Sequence, residues 1–395
     1  MLKKTFLFIF IFQTHCAFNQ LKKTDLSIQE LTLENSVLSY YNGLYPRTLS
    51  GLKWTQNNSI SYRNDSTFFI QKPTSSSPKK KYDLAYLNKI YPGVTIMPYF
   101  NSISDNYISF FKRNKFINID IIKQASSIIT TPKSAKHIDL SPDKTHLAYT
   151  LENNLYLANT LDSIVPITTI KNLNIVSGQA IHRFEFGISK GTFWSPNNNQ
   201  IAFYQKDETN VADYPLLNIN STPGELNSIK YPMAGQKSEE PQIGVYNLKT
   251  KNLIYLAIGD NYFDNYLTNL TWGPNSEFIY VAELNREQNH MKLVKYNATN
   301  GNRISVLFEE KNDKWVEPEH ELFFLPGLEN QFLWLSERDG FMNFYLYNIE
   351  GELLKKVTAN HWVSTGILGY NQKTNTLYYS GTGTDQKNMH AFSVS

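Results

Sequence analysis

Only one of the 395 residues, Cys16, is a cysteine, so no disulfide can close within the chain and its stability must come from packing. Beyond its first dozen residues the sequence has no long apolar run, which excludes a membrane-spanning helix over the rest. Charge of one sign is also scarce: 38 basic and 35 acidic residues are mixed along the chain, leaving a formal +3 and no footprint for nucleic acid. The one basic run, Lys79, Lys80 and Lys81, follows the polar stretch TSSSP and reads as a solvated loop tip; three charges neutralise too few phosphates to hold nucleic acid. No glycine-rich phosphate loop occurs. The eight histidines are scattered, and the nearest approach to a zinc motif, His320-Glu321, has no second histidine at helical spacing, so neither a metal nor a cofactor is expected. The adjacent Glu239 and Glu240, in a Ser- and Pro-containing stretch, read as a solvated loop.

What is present favours a packed β protein. Hydrophobic residues make up 41% and charged residues 18%, the balance of a chain that folds around a core. Tyr and Phe, 25 and 24 of them, suit pleated, half-buried surfaces, which points to strands. The amino terminus, MLKKTFLFIFIFQTHCAFNQ, sets Lys3 and Lys4 ahead of an apolar run from Phe6 to Phe12. That run is too short for a bilayer yet has the charged flank of an export signal. Residues 1–18 are therefore expected to be a signal peptide, and the protein to be periplasmic or extracellular. THCAFNQ offers no clean small-x-small cleavage site, and Thr14 and His15 suit lipid modification of Cys16 poorly.

Three segments share one pattern: LSPDKTHLAY from Leu140, WSPNNNQIAF from Trp194 and WGPNSEFIYV from Trp272, with a weaker copy, FLPGLENQFLWLS, from Phe324. Each runs from a large apolar residue through a Pro-containing turn, whose φ the ring pre-sets, into an alternating strand. Successive copies are 54, 78 and 52 residues apart. This fits a repeat of roughly 40 to 50 residues, the period of four-stranded propeller blades, with an insertion in the second interval. The insertion is placed at Thr209 to Glu240. A β-sandwich with chance similarity between turns is the competing fold; recurrence of the turn at one point of each unit favours an all-β propeller.

The stretch HRFEFGISKGTFWSP, His182 to Pro196, contains GISKG, a formal match to the GxSxG nucleophile elbow. An elbow needs a buried strand delivering the serine and a helix leaving it. Here TFWSP reads as a strand entering one of the repeat turns, and HRFEF carries charge where a buried run is needed, so Ser189 is read as a loop serine.

LSPDKTHLAYTLENNLYL, IHRFEFGISKGTFWSP with QIAFYQKDE, KYPMAG, the LNREQN segment and the SERDG segment belong to matches running from about Leu31 to the end. Through them the chain resembles the amino-terminal propeller domain of the dipeptidyl peptidase IV group of serine exopeptidases, most nearly bacterial prolyl tripeptidyl peptidases. The resemblance implies a propeller over residues 25–395, in a family usually described as eight-bladed, followed in that family by an α/β-hydrolase domain with a Ser, Asp and His triad. Because the chain stops at Ser395, the expectation is a propeller truncated in its late blades with the hydrolase domain outside this chain, and no catalytic residue is assigned.

One site residue is implied by the resemblance. In the family a glutamate in the segment matching HRFEFGIS binds the free α-amino group of the peptide substrate, and Glu185 holds that position. Dipeptidyl members have two adjacent glutamates; this chain has Phe184 before Glu185, as in the tripeptidyl type. Each extended residue adds about 3.3 to 3.6 Å, so the distance from that carboxylate to a catalytic serine measures the length of peptide removed. The family's arginine that contacts substrate carbonyls is not recognisable between Asn106 and Ser134, and Arg113 is not given that role. Arg183 flanks Glu185, but neighbours on an alternating strand point to opposite faces, so it is not assigned an orienting role either. The implied function is a non-catalytic, substrate-gating propeller of a secreted prolyl tri- or dipeptidyl peptidase. A stand-alone peptide- or protein-binding propeller and a non-functional gene fragment are the alternatives, and a homodimer is left open.

Overall fold

The computed structural model describes residues 31–45, 48–55, 59–103, 106–161, 163–259 and 265–395. The expected signal peptide, with Cys16, lies outside the described residues. Among the described residues, seven antiparallel sheets follow one another along the chain in a β-propeller arrangement, and within each the strands are hydrogen-bonded in chain order apart from one excursion. Sheets 1 to 3 begin with Ser50–Trp54, Phe100–Ile103 and Lys136–Leu140; sheets 5 to 7 begin with Asn265–Trp272, Phe323–Leu325 and Ser364–Asn371. In sheet 4, Ile175–Ser177 and Thr192–Trp194 both pair with Gln200–Asp207, which continues to Glu240–Asn247 and Leu253–Tyr255. The expected insertion is a separate hairpin, Asp213–Asn218 against Glu225–Lys230, between Gln200–Asp207 and Glu240–Asn247.

The sheets pack face against face, and the period of two along a strand distributes side chains to both neighbours. On Gln200–Asp207, Ile201 and Phe203 join Leu157 and Trp194 between sheets 3 and 4, while Ala202 and Tyr204 join Leu267 and Ile279 between sheets 4 and 5. On Phe278–Asn285, Ile279 and Val281 face sheet 4, and Tyr280, Ala282 and Leu284 face sheet 6. The middle strands are thus buried on both sides, and apolar residues replace the alternation of a one-sided sheet. Six such clusters seam successive sheets from 1 to 7.

The repeated turns are built alike. Ser141 Oγ accepts the Thr145 and His146 amides, and Ser195 Oγ accepts that of Gln200. Each turn holds one residue at positive φ: Lys144, Asn198 and Ser276. The turns are also tied to one another, since Asp143 N–H donates to Asn198 Oδ1 at 3.1 Å and Asn197 N–H donates to Ser276 Oγ at 3.0 Å. Recurrence in the sequence is therefore also contact between neighbouring sheets. One reading is corrected: Lys79 to Lys81 form the start of the strand Lys79–Asp83 in sheet 1, not a loop tip.

Candidate functional site

In an antiparallel sheet of four strands, the segment entering the first strand and the turn leaving the second lie at the same end. That rule brings together Glu185, on the way into Thr192–Trp194, the segment 312–322 entering Phe323–Leu325, and Glu337, just after Leu328–Ser336.

The segment carrying Glu185 is not the alternating strand expected from HRFEF. His182, Arg183 and Phe184 form a tight turn at φ of 51°, 56° and 67°, Glu185 returns to extended backbone, and Phe186 and Gly187 are again left-handed at 57° and 71°. Four of these are not glycine, and each costs about 1–2 kcal/mol in that region, so the surroundings must hold the turn in place. The N–H of Phe184 donates to Ile181 O, that of Glu185 to His182 O and that of Ile188 to Glu185 O. Gly187 is required twice over: beyond its φ, a Cβ would stand 2.0 Å from the carbonyl oxygen of Glu319, so the turn is seated directly on the segment entering sheet 6.

Behind the turn lies a buried charged cluster. Glu239 Oε1 accepts the His182 backbone N–H at 2.5 Å and stands 3.3 Å from His182 Nδ1, off the line of a good hydrogen bond. Lys206 Nζ lies 3.0 Å from Glu239 Oε2 and 2.8 Å from Glu208 Oε1. The Leu267 N–H donates to His182 Nε2 at 3.0 Å, which places the imidazole proton on Nδ1, facing the carboxylate. Burial pushes the His182 pKa down and would push Glu239 up, but the nearby His182 imidazole N–H, the Lys206 charge and the His182 backbone N–H overcome burial and hold Glu239 at about 2. Glu239, read from sequence as part of a solvated loop, is thus a buried anchor. Arg183 does not touch Glu185; its Nη2 lies 3.8 Å from Glu208 Oε1 and its guanidinium 5.1 Å from the Tyr231 ring centre.

In front of the turn the arrangement is different. Glu185 is exposed and makes no ion pair or side-chain hydrogen bond among the described residues, with exposed Phe184 beside it. Burial and then the charges of Glu337, Glu319 and Glu185 push the Glu317 carboxyl upward, so four carboxylates share one neighbourhood. A cavity of about 200 Å³ opens beside Glu317 and Glu337, lined also by Trp315, Pro318 and by Lys311 and Arg338, which are paired with Glu309 and Glu310; Trp315 Nε1 donates to Glu337 Oε1 at 2.9 Å. The field of this region favours a cation.

Ser189 is exposed and followed by the strand Thr192–Trp194 rather than a helix, while neighbouring Lys190 points towards Asp139 at 3.9 Å. This is not elbow geometry. Arg113 sits at positive φ in the turn between Tyr107–Lys112 and Lys115–Asp120. Of the SERDG residues, Ser336, Glu337 and Arg338 all line the cavity; Arg338 is held by Glu310 and by Tyr347 OH at 2.5 Å, Asp339 accepts from Tyr345 OH at 2.7 Å, and Glu337 accepts from Trp315. No cluster of metal-ligating side chains and no helix long and apolar enough to cross a membrane occurs among the described residues.

Comparison with known proteins places this geometry. The family model for the dipeptidyl peptidase IV (DPP IV) N-terminal region matches residues 101–395. Dipeptidyl aminopeptidase B of Saccharomyces cerevisiae is 24% identical over 273 residues, covering 64% of this chain and 33% of its own length. A crystal structure assigned as a dipeptidyl aminopeptidase IV from Bacteroides ovatus superposes with a TM-score of 0.81 at 32% identity, over 88% of this chain and 52% of that one. Porphyromonas gingivalis dipeptidyl peptidase 4 shares the fold, with a TM-score of 0.71 at 19% identity, over 91% of this chain and 53% of its own. The chain thus spans about a third of the curated relative and about half of the solved ones. With the propeller arrangement and the match over three quarters of its residues, the chain belongs to the dipeptidyl peptidase IV family, as its N-terminal propeller region.

Proposed function

We propose that this propeller gates and binds peptide substrates for a prolyl tri- or dipeptidyl serine peptidase, with Glu185 pairing with the free α-amino group. The observation that carries the reading is an exposed, unpaired carboxylate presented on a strained turn among three other carboxylates. An ammonium about 4 Å from such a carboxylate gains on the order of 4 kcal/mol at an effective dielectric of about 20, before desolvation. Peptide-bond chemistry belongs to a hydrolase domain; the solved relatives run to about twice the length matched here, which leaves room for one. Phe184, in place of a second glutamate, supports the tripeptidyl class. Export, resting on the signal pattern of residues 1–18, is part of the same reading.

The test is calorimetric titration of the chain with Ala-Ala-Pro and with its N-acetylated form. The free-amine peptide binds at least about tenfold more tightly, and Glu185→Gln removes that preference. Equal affinity for the two peptides, or an unchanged preference in Glu185→Gln, overturns the proposal.

A further inference from the structure

We infer that the excursion from sheet 4, residues 213 to 239, is a brace for the turn that presents Glu185, with Glu239 and Arg183 as positioning residues at its two attachments. This rests on the reading of Glu185 given above.

The turn is left-handed at residues whose side chains do not favour that conformation, so its geometry is imposed from outside. Its own three backbone hydrogen bonds close it but do not fix it to the sheet. Two contacts reach it from the excursion. At the return end, Glu239 accepts the N–H of His182, the first left-handed residue, while Lys206 from Gln200–Asp207 holds the other carboxylate oxygen. At the root of the hairpin, Tyr231 lies under the Arg183 guanidinium and packs on Tyr214, and the Tyr231 N–H donates to Ala212 O. Arg183 is also drawn towards Glu208. Two points on the returning arm of the excursion, Tyr231 and Glu239, therefore grip residues within three positions of Glu185. Neither contact touches a ligand on Glu185; both act through the backbone that aims it, as supporting residues behind a binding group do.

The experiment combines amide hydrogen exchange of the segment 181–188 with the peptide titrations, on the whole chain. In Glu239→Ala, exchange in this segment rises at least about tenfold and Ala-Ala-Pro affinity falls about tenfold, with affinity for the acetylated peptide unchanged. Glu239→Gln, which keeps an acceptor for the His182 N–H, restores most of both. A folded Glu239→Ala with wild-type exchange in the segment, or with faster exchange and wild-type affinity, overturns the inference. If Glu239→Ala does not fold, Arg183→Ala carries the test, because Arg183 is partly exposed: about threefold faster exchange in the same segment is expected, and the wild-type rate overturns the brace. Should Glu185→Gln leave peptide affinity unchanged, the amine-binding reading falls, while the exchange result judges the brace separately.

Discussion

Two charged clusters, one buried and one half-buried, sit at the same end of the propeller and do different work. Behind Glu185, Lys206, Glu208, Glu239 and His182 surround irregular backbone, and one carboxylate oxygen is spent on a main-chain N–H. In sheet 6, Arg338 leaves a regular strand and meets Glu310 of the strand Arg303–Lys311 in sheet 5. There Glu310 also accepts Trp334 Nε1 at 2.7 Å and Ser336 Oγ at 2.8 Å, and Arg338 stacks 4.4 Å from the Tyr345 ring centre. The first cluster fixes the shape of one turn. The second fastens one sheet to the next. Charge pairs thus serve local geometry in one place and global assembly in the other.

The largest effect comes from breaking the second cluster. Glu310→Ala leaves half-buried Arg338 without its carboxylate and Trp334 Nε1 without an acceptor, a loss of about 1.5–3 kcal/mol of unfolding free energy. Urea denaturation checks it. Because the charge left behind accounts for much of the cost, adding Arg338→Met to Glu310→Ala should recover part of the stability. A double variant less stable than Glu310→Ala would mean that the guanidinium acts mainly through its aromatic contacts.

Acid separates the clusters next. The folded-state pKa values of His182 and Glu239 both lie below their ordinary values, so the unfolded chain binds protons that the folded chain refuses. For His182, facing Glu239, Lys206 and Arg286, stability is therefore lost as pH falls below about 6.5. For Glu239, held at about 2, the stabilisation is full above about 4.5 and is lost as pH falls from there towards 2. Stability measured against pH should decline below neutrality and more steeply below about 4.5, and Glu239→Gln should flatten the lower part. An identical lower slope in that variant would mean that other carboxylates set it.

Much of the fold was legible because the turn chemistry is local. Ser141 and Ser195 bond amides four or five residues away, so the pattern survives in the sequence wherever the turn does. The middle strands were harder to read, since burial on both faces removes polar alternation from stretches such as IAFY, residues 201–204. At the candidate site, the role proposed for Glu185 rests on family resemblance. Nothing in His182, Arg183 or Phe184 announces left-handed backbone; that shape is fixed by Glu239, 57 residues away, and Glu239 itself looks solvated beside Ser238 and Pro241 because its partner Lys206 lies 33 residues upstream. Long-range charge pairs leave no local trace.

The smallest effect should fall within the same segment. GISKG places Ser189 four residues from Glu185, and the comparison of the two positions can be made with one substitution each. Ser189 is exposed on the path between a braced turn and a short buried strand, and it is followed by Lys190, which is directed at Asp139. Ser189→Ala removes a hydroxyl that supports neither the turn nor the strand. Stability should stay within about 0.5 kcal/mol of the parent, the usual range for an exposed position away from such features. Free-amine peptide affinity should not move either, whereas Glu185→Gln removes it. A loss of affinity in Ser189→Ala would extend the binding surface along the segment towards sheet 5, because the loop around Ser189 shares a small cleft with Asn269 and Glu321.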